Sequence, residues 1–283
     1  MATYKELHGI AVQDVSSDST AAGEIFYNSS TNTFRSVVQT SAWSSASPLN
    51  VARAELMGAG TQTASLAMGG YQSPGSGTIA NAEEWNGSGW SNATDMPAVK
   101  HKPATGGTQT AAFVAGGYPG NAGNVNTYEY DGSSWTNGGN LNTSRRALRG
   151  AGTLTAGLAM GGTTAPNTLT NKAAEYDGTS WTAANNMNRA RTSTSSSQNG
   201  TQTDAKIYTG QTPAGTYTNT SEDYDGTTFA TGANNSTPRK LGAGGGTGPT
   251  ALLAAGNAPP NTTATEEFNV ETTAVNVKTL TQS

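Results

Sequence analysis

The chain has no cysteine in 283 residues. That absence removes disulfides, thiolate nucleophiles and Cys-ligated metals together. Charge is also scarce, with Asp, Glu, Lys and Arg making up 12% of residues, and apolar residues reach only 34%. No apolar run approaches the roughly 18 residues of a membrane span. The start, Met1-Ala2-Thr3-Tyr4-Lys5-Glu6-Leu7-His8, lacks an apolar core of the signal-peptide kind, so no secretory signal is expected. A net charge of −4 argues against a nucleic-acid partner, because phosphate binding needs a basic surface. The two histidines, His8 and His101, stand far apart without a partner pattern. Neither reads as a metal ligand or a general base.

What the chain has instead is Gly, Thr, Ser, Asn and a period. A basic residue follows an aromatic one by ten positions, five times: Trp43 and Arg53, Trp90 and Lys100, Trp135 and Arg145, Trp181 and Arg191, Phe229 and Arg239. The pairs recur every 45 to 48 residues. A spacing that long and regular marks a structural repeat, so these ten residues are read as scaffold.

Each unit contains four strand-like parts. A small-residue run such as Ala147-Leu148-Arg149-Gly150-Ala151-Gly152 follows the basic residue. A second run ends in Gly69-Gly70, Gly116-Gly117 or Gly161-Gly162, with weaker copies at Thr209-Gly210 and Ala255-Gly256. After a variable loop comes an acid-aromatic pair: Glu84-Trp85, Glu129-Tyr130, Glu175-Tyr176, Asp223-Tyr224, Glu267-Phe268. Asn86-Gly87, Asp131-Gly132, Asp177-Gly178 and Asp225-Gly226 then link to the next aromatic, which predicts hairpin turns. Four short antiparallel strands per unit of this length is the arithmetic of a β-propeller blade. The expected fold is all-β, with Gly and Ala crowding the inner strands around an axis and the large aromatics packed between blades.

The Gly-Gly pairs, the acid-Tyr-Asp-Gly step, the Trp six residues past the acid and the Arg ten residues past that resemble the kelch repeat family. The resemblance spans roughly residues 39–283 and implies a kelch-like β-propeller of five four-stranded blades. Such propellers serve many roles, so it implies no activity. Galactose-oxidase-type members need a cysteine cross-linked to tyrosine, which this chain cannot supply. Trp43 precedes the first complete unit, and the fifth unit lacks a last aromatic. The economical expectation is that an N-terminal strand around Trp43 closes the ring. A six-unit arrangement, with residues 23–45 as an incomplete blade, is the alternative.

Ten of the fifteen Lys and Arg residues fall just after the repeat aromatics, and eleven of the nineteen acids fall in the third-strand step. This predicts that Arg145, Arg191 and their equivalents pair with third-strand acids. No catalytic residue, metal ligand or cofactor is expected, and the chain is read as non-enzymatic. The fourth unit is degenerate, with Thr192-Ser193-Thr194-Ser195-Ser196-Ser197 in place of its first strand. It reads as drift or as a contact site for a neighbour.

Residues 1–38 do not follow the repeat. Lys5-Glu6-Leu7-His8-Gly9, Ser16-Ser17-Asp18 and Gly23-Glu24-Ile25-Phe26-Tyr27-Asn28 resemble N-terminal segments of virion proteins from tailed bacteriophages. In those proteins such a segment anchors the chain and a β-rich body projects outward. The resemblance implies two parts, an attachment segment over 1–38 and a propeller over 39–283. It also implies a structural or decorating protein of the phage capsid or tail, made in the host cytoplasm, oligomeric on the particle and touching other virion proteins through residues 1–38. The alternative is a glycan- or host-receptor-binding module such as a tail-fibre tip. Its candidate contacts are Tyr71, Tyr118 and Tyr217, in the loops after the Gly-Gly sites, which could stack on sugars of a host-surface glycan.

Overall fold

The computed structural model describes residues 13–15, 25–36, 45–72, 77–119, 123–258 and 261–269. The chain divides into two compact units, Met1–Ala46 and Ser47–Ser283. In the first, Gln13–Val15 pairs parallel with Ile25–Asn28, which forms a hairpin with Thr33–Ser36. The Asn28 side chain closes that hairpin by accepting from the Ser30 and Thr31 amides at 3.0 and 3.1 Å. Among the described residues of 23–45 no sixth blade forms, since Ile25–Asn28 and Thr33–Ser36 belong to this small mixed sheet. Trp43, and with it the expected closing strand, lies outside the described residues.

The second unit is a five-bladed β-propeller of antiparallel sheets. Blade 1 comprises Met57–Gly60, Ser65–Met68, Ala82–Trp85 and Trp90–Asn92. Blade 2 comprises Ala104–Thr108, Ala111–Ala115, Thr127–Tyr130 and Trp135–Gly138. Blade 3 comprises Arg149–Thr153, Ala156–Met160, Ala173–Tyr176 and Trp181–Ala184. Blade 4 comprises Ser195–Ser196, Ala205–Tyr208, Ser221–Tyr224 and Phe229–Thr231. Blade 5 has three described strands, Ala243–Gly246, Thr250–Ala254 and Thr265–Asn269.

The core lies between blades, as the aromatic spacing predicts. Among the described residues it forms four clusters, each shared by two consecutive blades. Phe113 of blade 2, for example, packs on Tyr176 and Trp181 of blade 3. Small residues let the inner strands approach. A Cβ on Gly150 would come within 2.3 Å of the Thr105 carbonyl oxygen in the neighbouring blade.

The turn dipeptides work differently from a two-residue hairpin. Each loop has four residues, because Trp85 pairs with Trp90, Tyr130 with Trp135, Tyr176 with Trp181 and Tyr224 with Phe229. Only the glycine takes a positive φ. The Asp131 carboxylate accepts from the Ser133 and Ser134 amides at 2.8 and 2.7 Å, and Asp177 and Asp225 repeat this. These bonds stabilise the charged form, so the three carboxyls sit below their ordinary range. The aspartates are turn formers.

The first residue of each Gly-Gly site has φ between +54° and +71° in all five blades, including the two that lack glycine there, Thr209 and Ala255. The left-handed region costs a residue with a Cβ roughly 1–2 kcal/mol, and a β-branched residue most. Thr209 is buried and its hydroxyl has no hydrogen-bond partner. Thr209→Gly should therefore raise stability by about 1–2 kcal/mol, despite the greater freedom it gives the unfolded chain. Ala255→Gly should raise it by less. Thermal denaturation of both variants checks the order.

Candidate functional site

Four of the five repeated cations meet the Gly-Gly sites from within their own blades, and the fifth, Arg53, reaches the nearby carbonyls of Asn81 (3.1 Å) and Ala67 (3.5 Å). Arg145 Nη1 donates to the carbonyls of Gly161 (3.2 Å) and Lys172 (2.7 Å). Lys100 Nζ reaches Gly116 (2.8 Å) and Asn126 (3.3 Å), and Arg239 Nη1 reaches Ala255 (3.1 Å) and Ala264 (2.9 Å). Arg191 makes the same contacts with Thr209 and Thr220. Each cation clasps the end of the second strand to the start of the third. The second glycine then couples blades, because the amides of Gly70, Gly117, Gly162 and Gly210 donate to the carbonyls of Lys100, Arg145, Arg191 and Arg239 in the next blade.

The expected ion pairs form in three blades and fail in two. Arg53 bonds Glu83 at 3.0 Å, Arg191 bonds Glu222 at 2.5 Å and Arg239 bonds Glu266. Arg145 does not pair with an acid, which corrects the sequence expectation. Its blade carries Ala174 where the others carry Glu83, Glu222 or Glu266, and Lys100 faces the Tyr128 ring at 5.0 Å instead. Without a counter-charge, burial pushes Lys100 down to about 8 and Arg145 down to about 10. The neighbouring acids point to the other side of the strand and bind across blades. The hydroxyls of Tyr130 and Tyr224 donate to Glu84 (2.8 Å) and Glu175 (2.6 Å), and Tyr176 donates to Glu129. Blade 5 has Phe268 at the tyrosine position, and there Lys206 substitutes: it bonds Asp223 and lies 3.8 Å from the Phe268 ring centroid.

Residues that do not repeat gather in two places. The first is the rim beside the Gly-Gly sites, where each blade's loop touches the next blade. Tyr71 meets His101 edge-on at 6.0 Å, and His101 stacks on Tyr118 at 4.3 Å. Arg146 lies 4.9 Å over the Tyr118 ring and donates to its hydroxyl at 2.6 Å. Burial holds His101 below its ordinary value, with Glu55 opposing the shift, so the ring is neutral at neutral pH. The rim continues through Thr163–Thr192 (3.0 Å) and Lys240–Gln211 (3.1 Å). Of the three tyrosines expected to meet a ligand, Tyr118 is engaged by His101 and Arg146. Tyr217 has Lys240 over its ring at 4.9 Å and lines an open cleft with Thr216, Thr237 and Pro238. Tyr71 is 42% exposed.

The second place is the axis. A cavity of about 190 Å³ is lined by the inner strands of all five blades, including Gly58, Thr105, Arg149, Ser196 and Gly244. Gln198 crosses from blade 4 to donate to the Gly58 carbonyl of blade 1 and, at 2.7 Å, to Thr105 Oγ1 of blade 2. The Ser/Thr run is buried here. Ser195 and Ser196 donate to the carbonyls of Gly242 (2.7 Å) and Gly150 (2.8 Å), stitching blade 4 to blades 5 and 3. It therefore faces inward, which removes it as a surface for a neighbouring molecule. Arg149 is the axial residue that sequence reading missed, having counted it with the repeated basic cluster. The signal was its register: Met57, Ala104, Ser195 and Ala243 hold the same strand position, so a charge appears there once in five blades.

No protein-family model matches this chain, and no curated protein matches it either. Among the described residues no group of three or more His, Asp or Glu side chains is placed to hold a metal ion. No described helix is long and apolar enough to cross a membrane.

Proposed function

We propose that this chain is a non-enzymatic structural or decorating protein of a phage particle. Residues 1–38 anchor it to other virion proteins, and a kelch-type propeller is displayed outward in several copies. The observation carrying the non-enzymatic part is where the repeated polar groups go. Five buried cations clasp strand ends, the Asp-Gly aspartates cap turns, and the second set of acids ties blade to blade. These side chains are committed to the scaffold, and ordered blades with short turns suit display on a particle. The virion part is supported by the N-terminal sequence resemblance. Full-length chain and a 39–283 chain, both tagged, should be expressed during infection and the particles purified on a density gradient. The full chain is expected in the particles and the 39–283 chain outside them, with both keeping the same thermal transition. Equal incorporation of the two, or absence of the full chain from particles, overturns the reading.

A second reading, recognition of a host-surface glycan, is favoured by the exposed Tyr71 ring and the open cleft beside Tyr217. Tyr71→Ala and Tyr217→Ala should each reduce binding on a glycan array if it holds.

A further inference from the structure

We propose that the axial cavity is a binding site for one singly charged carboxylate, held by Arg149. Most donors around the cavity are already committed. Ser196 is committed to Gly150, the Gln198 amide to Gly58 and Thr105, and Thr105 to Gly58. The Arg149 guanidinium is different. Its Nε donates to the Thr194 carbonyl at 2.6 Å. Among the described residues its two terminal nitrogens have no hydrogen-bond partner, and no carboxylate pairs with it.

Its setting leaves that charge facing the cavity. Protein surrounds the side chain, although part of its surface remains open to the cavity. Burial lowers its proton affinity, yet a guanidinium stays protonated, so an uncompensated cation is held at the axis. The guanidinium is half-buried, so it keeps some contact with water through the cavity but has no counter-charge, and an anion entering the cavity would supply one. The repeat shows how the fold treats its five repeated cations: all meet carbonyls, and three of them a carboxylate. Arg149 has one carbonyl and a cavity.

Charge and shape together select the ligand. One guanidinium balances one negative charge, and Arg149 is the only ionisable side chain among the lining residues. A doubly charged sulfate or phosphate would leave an unpaired charge inside. The two uncommitted terminal nitrogens match the two oxygens of a carboxylate. The cavity has room for a short chain beyond that group, with Leu56 and Ala243, both solvent-exposed, among its lining residues. The carboxylate could belong to a free small acid or to an acidic sugar, and acetate and glucuronate distinguish the two. This inference is independent of the virion reading.

The test uses the intact chain. Thermal transitions are measured against sodium acetate, sodium glucuronate and sodium sulfate, with chloride making up the ionic strength. In parallel, the Arg Nε–H resonances are followed by NMR. Acetate or glucuronate should raise the transition saturably and shift one arginine Nε–H signal, while sulfate should act no differently from chloride. Arg149→Met should abolish both effects, and Arg149→Lys should weaken binding by about tenfold, since the paired donors are lost. The proposal fails if neither carboxylate gives a saturable response beyond chloride, if sulfate matches them, or if Arg149→Met retains the response. The wild-type NMR titration keeps the test decisive even if a variant folds poorly.

Discussion

Arg191→Ala should lower the stability of the propeller by about 3–5 kcal/mol, the usual result of breaking a buried ion pair from one side. The transition should fall by roughly 5–10 °C for a chain of this size. Arg191 ties Glu222 at 2.5 Å and the Thr220 carbonyl at 2.9 Å, and both charged side chains are buried. Its removal strands Glu222, whose other oxygen accepts from the Asn188 amide at 2.6 Å. The double variant Arg191→Met with Glu222→Met should recover much of the loss, because apolar replacement of a whole buried pair is commonly neutral or better. Arg145→Ala provides the contrast. Arg145 has no carboxylate to strand, so the same truncation should cost clearly less. Urea unfolding of wild type, Arg191→Ala, the double variant and Arg145→Ala measures all of this, and equal losses for Arg191→Ala and Arg145→Ala would show that the ion pair is not what matters.

The second large effect is an alkaline collapse. Burial and a cross-blade carboxylate push Tyr130, Tyr176 and Tyr224 well above the ordinary tyrosine value, and burial does the same for Tyr208. The sign follows from proton counting. Above about pH 10 the unfolded chain loses these protons while the folded chain keeps them, so stability falls as pH rises. Each such tyrosine removes up to about 1.4 kcal/mol per pH unit, reduced by solvent screening where the hydroxyl nears the surface. Lys100 acts in the opposite direction one step earlier. Its folded value of about 8 lies below the ordinary lysine value of 10.5. Between those values the unfolded chain holds the extra proton, so stability rises with pH by on the order of 3 kcal/mol. The pH profile should therefore climb from 8, peak near 10 and fall steeply beyond. Lys100→Met should flatten the climb, and Tyr224→Phe should soften the fall. Thermal transitions from pH 7 to 11.5 check both limbs, and a flat profile above pH 10 would discard the tyrosine account.

The propeller was legible because its signals are local and repeated. The aromatic-plus-ten step marks the blades, and the Gly-Gly and Asp-Gly steps mark strand ends. The reading went wrong where facing decides. Glu83 and Glu84 are adjacent in sequence and look alike in composition, but alternate residues of a strand point to opposite sides. One therefore meets Arg53 inside its own blade, and the other meets Tyr130 of the next. Alternation was available from the sequence, but which side held the cation was not. The same limit applies to the Ser/Thr run of blade 4, which resembles an exposed tract and is interior because the inner strands of three blades converge on it.

By itself the sequence determined the length and strand pattern of the repeating unit and that the aromatics between units build the core, while the choice of five blades over six came from the structure. These follow from spacing, strand period and turn chemistry, all properties of short segments. Only the tertiary structure decided which buried cations have counter-charges, since that depends on the residue facing each across the blade. It also decided that Arg149, one basic residue among ten in similar positions, points into a cavity bounded by all five blades. No segment of the chain contains that cavity; it exists only once the inner strands surround a common axis.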